Sequence, residues 1–204
     1  MTVSNDSEKT RDEALVGRVV EYWQGQKAAD RAYPKERGRF PDADHVDWIR
    51  KICRGFVCEV GCGTGRCSDA FAPSEYVGVD INPTAIEVAR AEKPGYDFRT
   101  IAWDDPYPVA ETYLFHTCLM HVPDDELRWA LLRARPRIAI FESMMRAYAQ
   151  PEIFNFQRDA QDYWIALNSA GFTVVEYYDR PTVYQEARGR RPPLRRRFMV
   201  GEVV

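Results

Sequence analysis

Four groups of residues in this 204-residue chain have the types and spacing to do chemistry. The first is Phe56-Val-Cys-Glu-Val-Gly-Cys-Gly-Thr-Gly65, an apolar run that ends in three alternating glycines. Positions without side chains let a ligand come close to the backbone, and free N–H groups at a helix start favour an anionic group. The second is Asp80, 15 residues past Gly65 at the end of Tyr76-Val-Gly-Val. A carboxylate at the end of a second strand can accept hydrogen bonds from both hydroxyls of a ribose. Its other reading is a helix cap, a task open also to Asn82 and Thr84. The third is Tyr113-Leu-Phe-His-Thr-Cys-Leu-Met-His-Val-Pro123, which carries His116 and His121. An imidazole near a strand end can take a proton from a hydroxyl or amine, or can simply shape a pocket. His116 is the first candidate for a base and His121 the second. The fourth group is Cys58, Cys62 and Cys67. Their CxxxC and CxxxxC spacings lack the second ligand pair of a zinc site, so no metal is expected.

These residues need a frame to hold them. After Gly55 short apolar runs alternate with helical stretches. Strands are predicted at 56–60, 76–80, 97–101, 112–117, 137–142, 172–178 and 196–203, with helices at 65–71, 83–92, 124–134 and 157–170. Such alternation argues for an α/β fold with a mostly parallel sheet and helices on both faces. No helix separates the last two strands, so they should form an antiparallel hairpin at one edge. Before Gly55, residues 11–25 have helical spacing, and a second helix carries Val46, Trp48, Ile49 and Ile52. Residues 1–55 are therefore expected to form a helical lid on a domain of residues 56–204. Helical spacing makes Trp23 and Trp48 core-facing anchors.

The glycine run is not a dinucleotide fingerprint, because the third glycine of GxGxxG would fall on Arg66. Glu59-Val60-Gly61-Cys62-Gly63-Thr64-Gly65 instead resembles the first motif of the class I S-adenosylmethionine (SAM)-dependent methyltransferases of small-molecule type. The resemblance covers roughly residues 56–204 and implies a Rossmann-like fold of seven strands, the last antiparallel. It implies that Gly61, Cys62, Gly63, Thr64 and Gly65 wrap the methionine part of SAM while Glu59 helps orient its amine. Asp80 would hold the ribose, Ile81 would pack on adenine, and Trp103 or Asp104 would meet the adenine edge. His116 lies near the end of the fourth strand, which resembles the Leu-x-His-x-Pro stretch of many small-molecule methyltransferases. One departure is visible: the family usually has Asp where this chain has Glu111.

The acceptor site is less legible. Tyr33, Arg37, Arg146, Tyr148 and Phe154 are candidate substrate residues, and aromatics with arginines suggest a flat or anionic small molecule. Glu142 could face substrate or cap a loop. The formal charge is −3, but Arg188–Arg197 carries +6 and leaves −9 on the rest. That cluster reads either as a solvated edge that discourages sheet pairing or as a nucleic-acid contact. The expected activity is methyl transfer to an oxygen or nitrogen of a small molecule, with S-adenosylhomocysteine (SAH) as product. The alternatives are a methyltransferase of RNA, DNA or protein, and a non-catalytic SAM-binding protein. Residues 1–12 are polar, without an apolar signal core or membrane span anywhere, so a cytoplasmic location is expected.

Overall fold

Short apolar runs bounded by glycine, proline and aspartate become strands, and the amphipathic stretches between them become helices. A computed structural model describes residues 12–25, 43–142, 154–156, 158–181 and 195–203. In chain order the elements are α1 (Glu13–Gln24), α2 (Ala43–Ile52), β1 (Val57–Val60), β2 (Tyr76–Asp80), α3 (Pro83–Glu92) and β3 (Asp97–Thr100). There follow β4 (Thr112–His116), α4 (Asp124–Leu132), β5 (Arg137–Glu142), α5 (Ala160–Ser169), β6 (Thr173–Pro181) and β7 (Arg195–Glu202). No helix among the described residues is long and apolar enough to cross a membrane.

The strands form one seven-stranded sheet in the order β3-β2-β1-β4-β5-β7-β6. The five strands from β3 to β5 run parallel, and β7 runs antiparallel to both β5 and β6. The expected Rossmann-like sheet is therefore present, and its last two strands form the expected antiparallel pair at one edge, with β7 inside, between β5 and β6. Burial explains the order. Phe198, Met199 and Val200 of β7 are at most 3% exposed, whereas Val175 and Tyr177 of β6 are 45% and 41% exposed. The more apolar strand takes the inner place.

Alternation along the strands divides the core between two faces. Cys58, Val60, Phe115 and Ile138 pack with α4 and α5, whereas Val57, Leu114, Ala139 and Phe141 pack with Ile49 and Ile52 of α2. Ile86 and Ala89 of α3 meet Tyr76 and Phe98 beyond β2. With Ile49 and Ile52 at most 1% exposed, α2 is part of the core layer. Trp48 takes the anchoring place expected of it, against Tyr178 and Phe198.

One predicted helix is replaced. Residues 65–71 fold as turns and a 3-10 turn at Ser68–Ala70. Gly65 is left-handed at φ 75°. Ala72, preceding Pro73, is held extended at ψ 147°. Too little chain lies between them for a regular helix.

Candidate active site

Chain order reverses between β1 and β4, and ligands of open α/β sheets bind outside the carboxyl ends of strands at such a point. The loop leaving β1 occupies this position. Gly61, Gly63 and Gly65 have φ of 73°, 55° and 75°, values that cost other residues about 1–2 kcal/mol. A Cβ on Gly61 would lie 2.8 Å from Cys118 Cβ and closer still to its sulfur, and one on Gly65 would lie 2.5 Å from the Phe98 ring. The loop thus lies tightly between the exit of β4 and the face of β3. The N–H groups of Gly61 and Cys62 both donate to the Val79 carbonyl, at 2.8 and 3.0 Å.

Asp80 ties this loop to α3. Its Oδ2 accepts the Gly63 N–H at 2.7 Å and its Oδ1 accepts the Asn82 N–H at 2.8 Å. Asn82 itself caps α3 through its side chain, leaving Asp80 free of that task. Burial pushes the Asp80 carboxyl above its ordinary pKa in spite of these donors. The Ile81 N–H also reaches this carboxylate, which has room for a further hydrogen bond. Ile81 is half-buried beside it.

Glu59 and His116 lie beneath the loop, not at its mouth. Both are 2% exposed. Glu59 accepts a hydrogen bond from the Tyr76 hydroxyl, and burial pushes its pKa up to about 7. The His116 ring stacks on Phe141 with centroids 4.7 Å apart. Ligand atoms of Glu59, Cys67 and His116 lie within 4.8 Å of one another. The three clustered cysteines separate: Cys58 faces α4 and α5, Cys62 faces Tyr76 and Phe98, and Cys67 joins the α2 side.

His121 stands in the mouth. It closes a 3-10 turn at Leu119–His121, and its ring packs on Trp23 with centroids 4.2 Å apart. Its Nδ1 is 3.4 Å from the Phe154 carbonyl, the partner that assigns the proton to Nδ1 and the lone pair to Nε2. Burial lowers its pKa to about 4, so the imidazole is neutral at pH 7.

α1 crosses above these groups. The Trp23 carbonyl accepts the Asn82 side-chain N–H at 2.7 Å, and Tyr22 sets its edge on Phe154 at 5.5 Å between centroids. The helix therefore bridges the β2 side of the crevice to the β4 side. Trp23 belongs to this site rather than to the sheet core. Among the described residues, the Tyr22 hydroxyl, the Trp23 indole N–H and the Thr64 hydroxyl are buried without hydrogen-bond partners.

Beyond β3, the Trp103 indole N–H donates to Glu126 at 3.0 Å while Asp104 is exposed. Asp105 accepts the Ala102 N–H at 2.7 Å and serves the turn. Phe154 is at the site, but Tyr33, Arg37, Arg146, Tyr148 and residues 188–194 lie outside the described residues. Sequence reasoning missed Cys118 and the task of Arg158. Cys118 follows a strand and abuts Gly61, a contact that only the fold creates. Arg158 has no local signal, because its carbonyl partners are Leu119 and Val122.

Residues 58–135 match the family described as a methyltransferase domain. Among solved structures the chain resembles magnesium protoporphyrin IX methyltransferase (ChlM) from Synechocystis PCC 6803 with bound SAM. That likeness has 16% identity and a TM-score of 0.65, over 97% of this chain and 100% of that one. A chain from the complex of the Haloferax volcanii Trm112 methyltransferase activator with a methyltransferase has 16% identity and a TM-score of 0.70, over 91% and 97%. Geranyl diphosphate C-methyltransferase from Streptomyces coelicolor A3(2) has 9% identity and a TM-score of 0.63, over 92% and 97%. No curated protein matches the chain by sequence. Residues 58–135 thus carry the match to a methyltransferase domain, and the chain as a whole has the fold of methyltransferases solved with bound SAM or SAH.

The residues present suit that group. SAM carries an ammonium, a carboxylate and a ribose diol, so it needs acceptors and donors together. The glycine loop offers backbone, Asp80 offers a carboxylate with acceptor capacity left, and Thr64 offers a buried hydroxyl without a partner among the described residues.

Proposed function

We propose that this enzyme transfers the methyl group of SAM to an oxygen or nitrogen of a small-molecule acceptor. The observation that carries the reading is α1. It closes over the strand ends and brings Tyr22 and Trp23 against Phe154 and His121, walling the acceptor side with aromatic groups. Two of the similar structures, by their own names, act on small molecules, magnesium protoporphyrin IX and geranyl diphosphate.

On this reading Gly61, Cys62, Gly63, Thr64 and Gly65 receive the methionine part, Asp80 the ribose, and Ile81, Trp103 and Asp104 the adenine. Glu59 acts from below, holding the loop through Tyr76. SAM supplies a methyl group already activated by its sulfonium and leaves as SAH. The chain's task is to aim a nucleophile along the methyl–sulfur axis, and such alignment is worth about 7–11 kcal/mol. His121 Nε2 then receives the acceptor's proton, a role its place in the mouth suits better than that of buried His116. A pKa of about 4 makes it a weak base, matched to an acidic hydroxyl or to an acceptor made cationic by methylation.

A methyl-transfer screen with SAM across phenols, amines, sugars, carboxylates and RNA tests the proposal. Turnover is expected with a small acceptor, falling about 10²–10⁴-fold in His121→Ala while SAH affinity is kept. Turnover only with RNA and steeply reduced by salt would move the enzyme to the polynucleotide class. Undiminished turnover in His121→Ala would remove the base.

A further inference from the structure

We propose that Glu142 is a positioning residue whose carboxyl group, opposed across the turn by Arg158, fixes the segment that presents His121 to the acceptor. The proposal rests on the reading of His121 given above. β4 leaves the sheet through Thr117 at φ 54°, a conformation rare for a β-branched residue and sustained only by its surroundings. The surroundings are the last two residues of β5. The Phe141 carbonyl accepts the Thr117 N–H at 2.7 Å, and Glu142 Oε1 accepts the next two N–H groups, of Cys118 at 2.8 Å and Leu119 at 2.7 Å. The Met120 N–H also reaches this carboxyl. The 3-10 turn that ends on His121 has no cap from its own N-terminal residue, so the neighbouring strand supplies it.

The turn's carbonyls are held from the other side. Arg158 is 5% exposed and donates to the Leu119 carbonyl at 2.8 Å and the Val122 carbonyl at 2.6 Å, while its Nε donates to Asp124 at 2.9 Å. Phe156 N–H donates to the Met120 carbonyl at 2.7 Å, and two residues earlier Phe154 faces His121 Nδ1. Donors of the turn thus go to β5 and acceptors to residues 154–158, leaving the ring one orientation. Glu142 is fully buried and its Oε2 has no partner among the described residues. Burying a half-satisfied carboxyl is costly, so the position carries a demand that packing does not explain. The groups electrostatically coupled to it are Arg158, Cys118 and Tyr163.

The test is an NMR titration of the histidine rings in the full chain and in Glu142→Ala and Glu142→Gln, with calorimetric SAH binding alongside. In Glu142→Ala the His121 midpoint should rise by about one unit or more toward its ordinary value as the ring gains solvent. SAH affinity, set across the crevice by the glycine loop and Asp80, should stay within about threefold. Glu142→Gln keeps an oxygen for Cys118 and Leu119 and should titrate like wild type. An unmoved His121 midpoint in Glu142→Ala, or an equal shift in Glu142→Gln, would overturn the proposal. Should Glu142→Ala not fold, hydrogen exchange in the wild type decides: the Cys118 and Leu119 amides should be protected like those of β4, and fast exchange overturns the clamp. Absence of SAH binding by the wild type would instead fault the cofactor reading. Undiminished turnover in His121→Ala would fault only the reading of His121.

Discussion

Replacing Gly61 by alanine tests how the glycine loop is held. At φ 73° an added side chain costs about 1–2 kcal/mol in backbone conformation alone. The new Cβ would also stand 2.8 Å from Cys118 Cβ and nearer to its sulfur, closer than such atoms approach. Forcing them apart costs about 1–3 kcal/mol, as overpacking does elsewhere. Gly61→Ala should therefore lose about 2–5 kcal/mol of a total that is commonly about 5–15 kcal/mol, and still fold. The two parts separate in a double-mutant cycle with Cys118→Gly, which removes both obstructing atoms. In that background the contact share should vanish and the conformational share of about 1–2 kcal/mol should remain. Urea unfolding followed by circular dichroism gives the stabilities. Calorimetry should show SAH binding weakened at least about tenfold in the single variant, as the loop moves off Val79. A Gly61→Ala protein within about 0.5 kcal/mol of wild type, or a full penalty in the Cys118→Gly background, would refute the reasoning.

Asp80→Asn puts an amide N–H against the donors of Gly63 or Asn82 and removes charge from the ribose contacts, so SAH affinity should fall about 10–100-fold by calorimetry. Trp23→Phe keeps a ring over His121 but deletes an N–H with no protein partner; stability should hold within about 0.5 kcal/mol while acceptor KM rises, and an unchanged KM would take the indole out of the acceptor site. The buried carboxyls make stability depend on pH with a definite sign. Burial raises Glu142 from 4.5 to about 8, so its stabilising protonated form is fully present below pH 4.5 and lost as pH rises through 8. Glu142→Gln should then gain thermal stability relative to wild type between those limits, on the order of a few kcal/mol, and a pH-independent difference would contradict this.

How much of this was legible depended on whether the signal was local. β2, α3 and β5 were predicted residue for residue at 76–80, 83–92 and 137–142, because each is an apolar or periodic run stopped by proline, glycine or a charge. The glycine loop and Asp80 were legible because their spacing sits within one strand–turn–strand unit. Long-range pairing was not. Nothing near β7 says that it slips between β5 and β6, an order settled by how completely Phe198, Met199 and Val200 are buried. Where the two histidines lie relative to the loop was hidden for the same reason. Pleat parity puts His116 on the α2 side, under the loop, while the turn after Thr117 swings His121 out under α1. That turn depends on Glu142, 21 residues beyond His121 in sequence, and on Arg158 further still.

On the proposed reading, the cofactor side and the acceptor side of this crevice are built from different materials. Around the glycine loop the work is done by backbone: positive φ values, two N–H groups on the Val79 carbonyl and one on Asp80. Backbone demands little of residue identity beyond glycine and a carboxylate, and the fold as a whole is shared with structures only 9–16% identical. The acceptor side is made of side chains, Tyr22, Trp23, His121 and Phe154, each set by a contact that another sequence would replace. The chemistry that distinguishes this enzyme from others of its fold must therefore reside under α1. Exchanging those four residues should change the acceptor and leave SAH affinity nearly untouched.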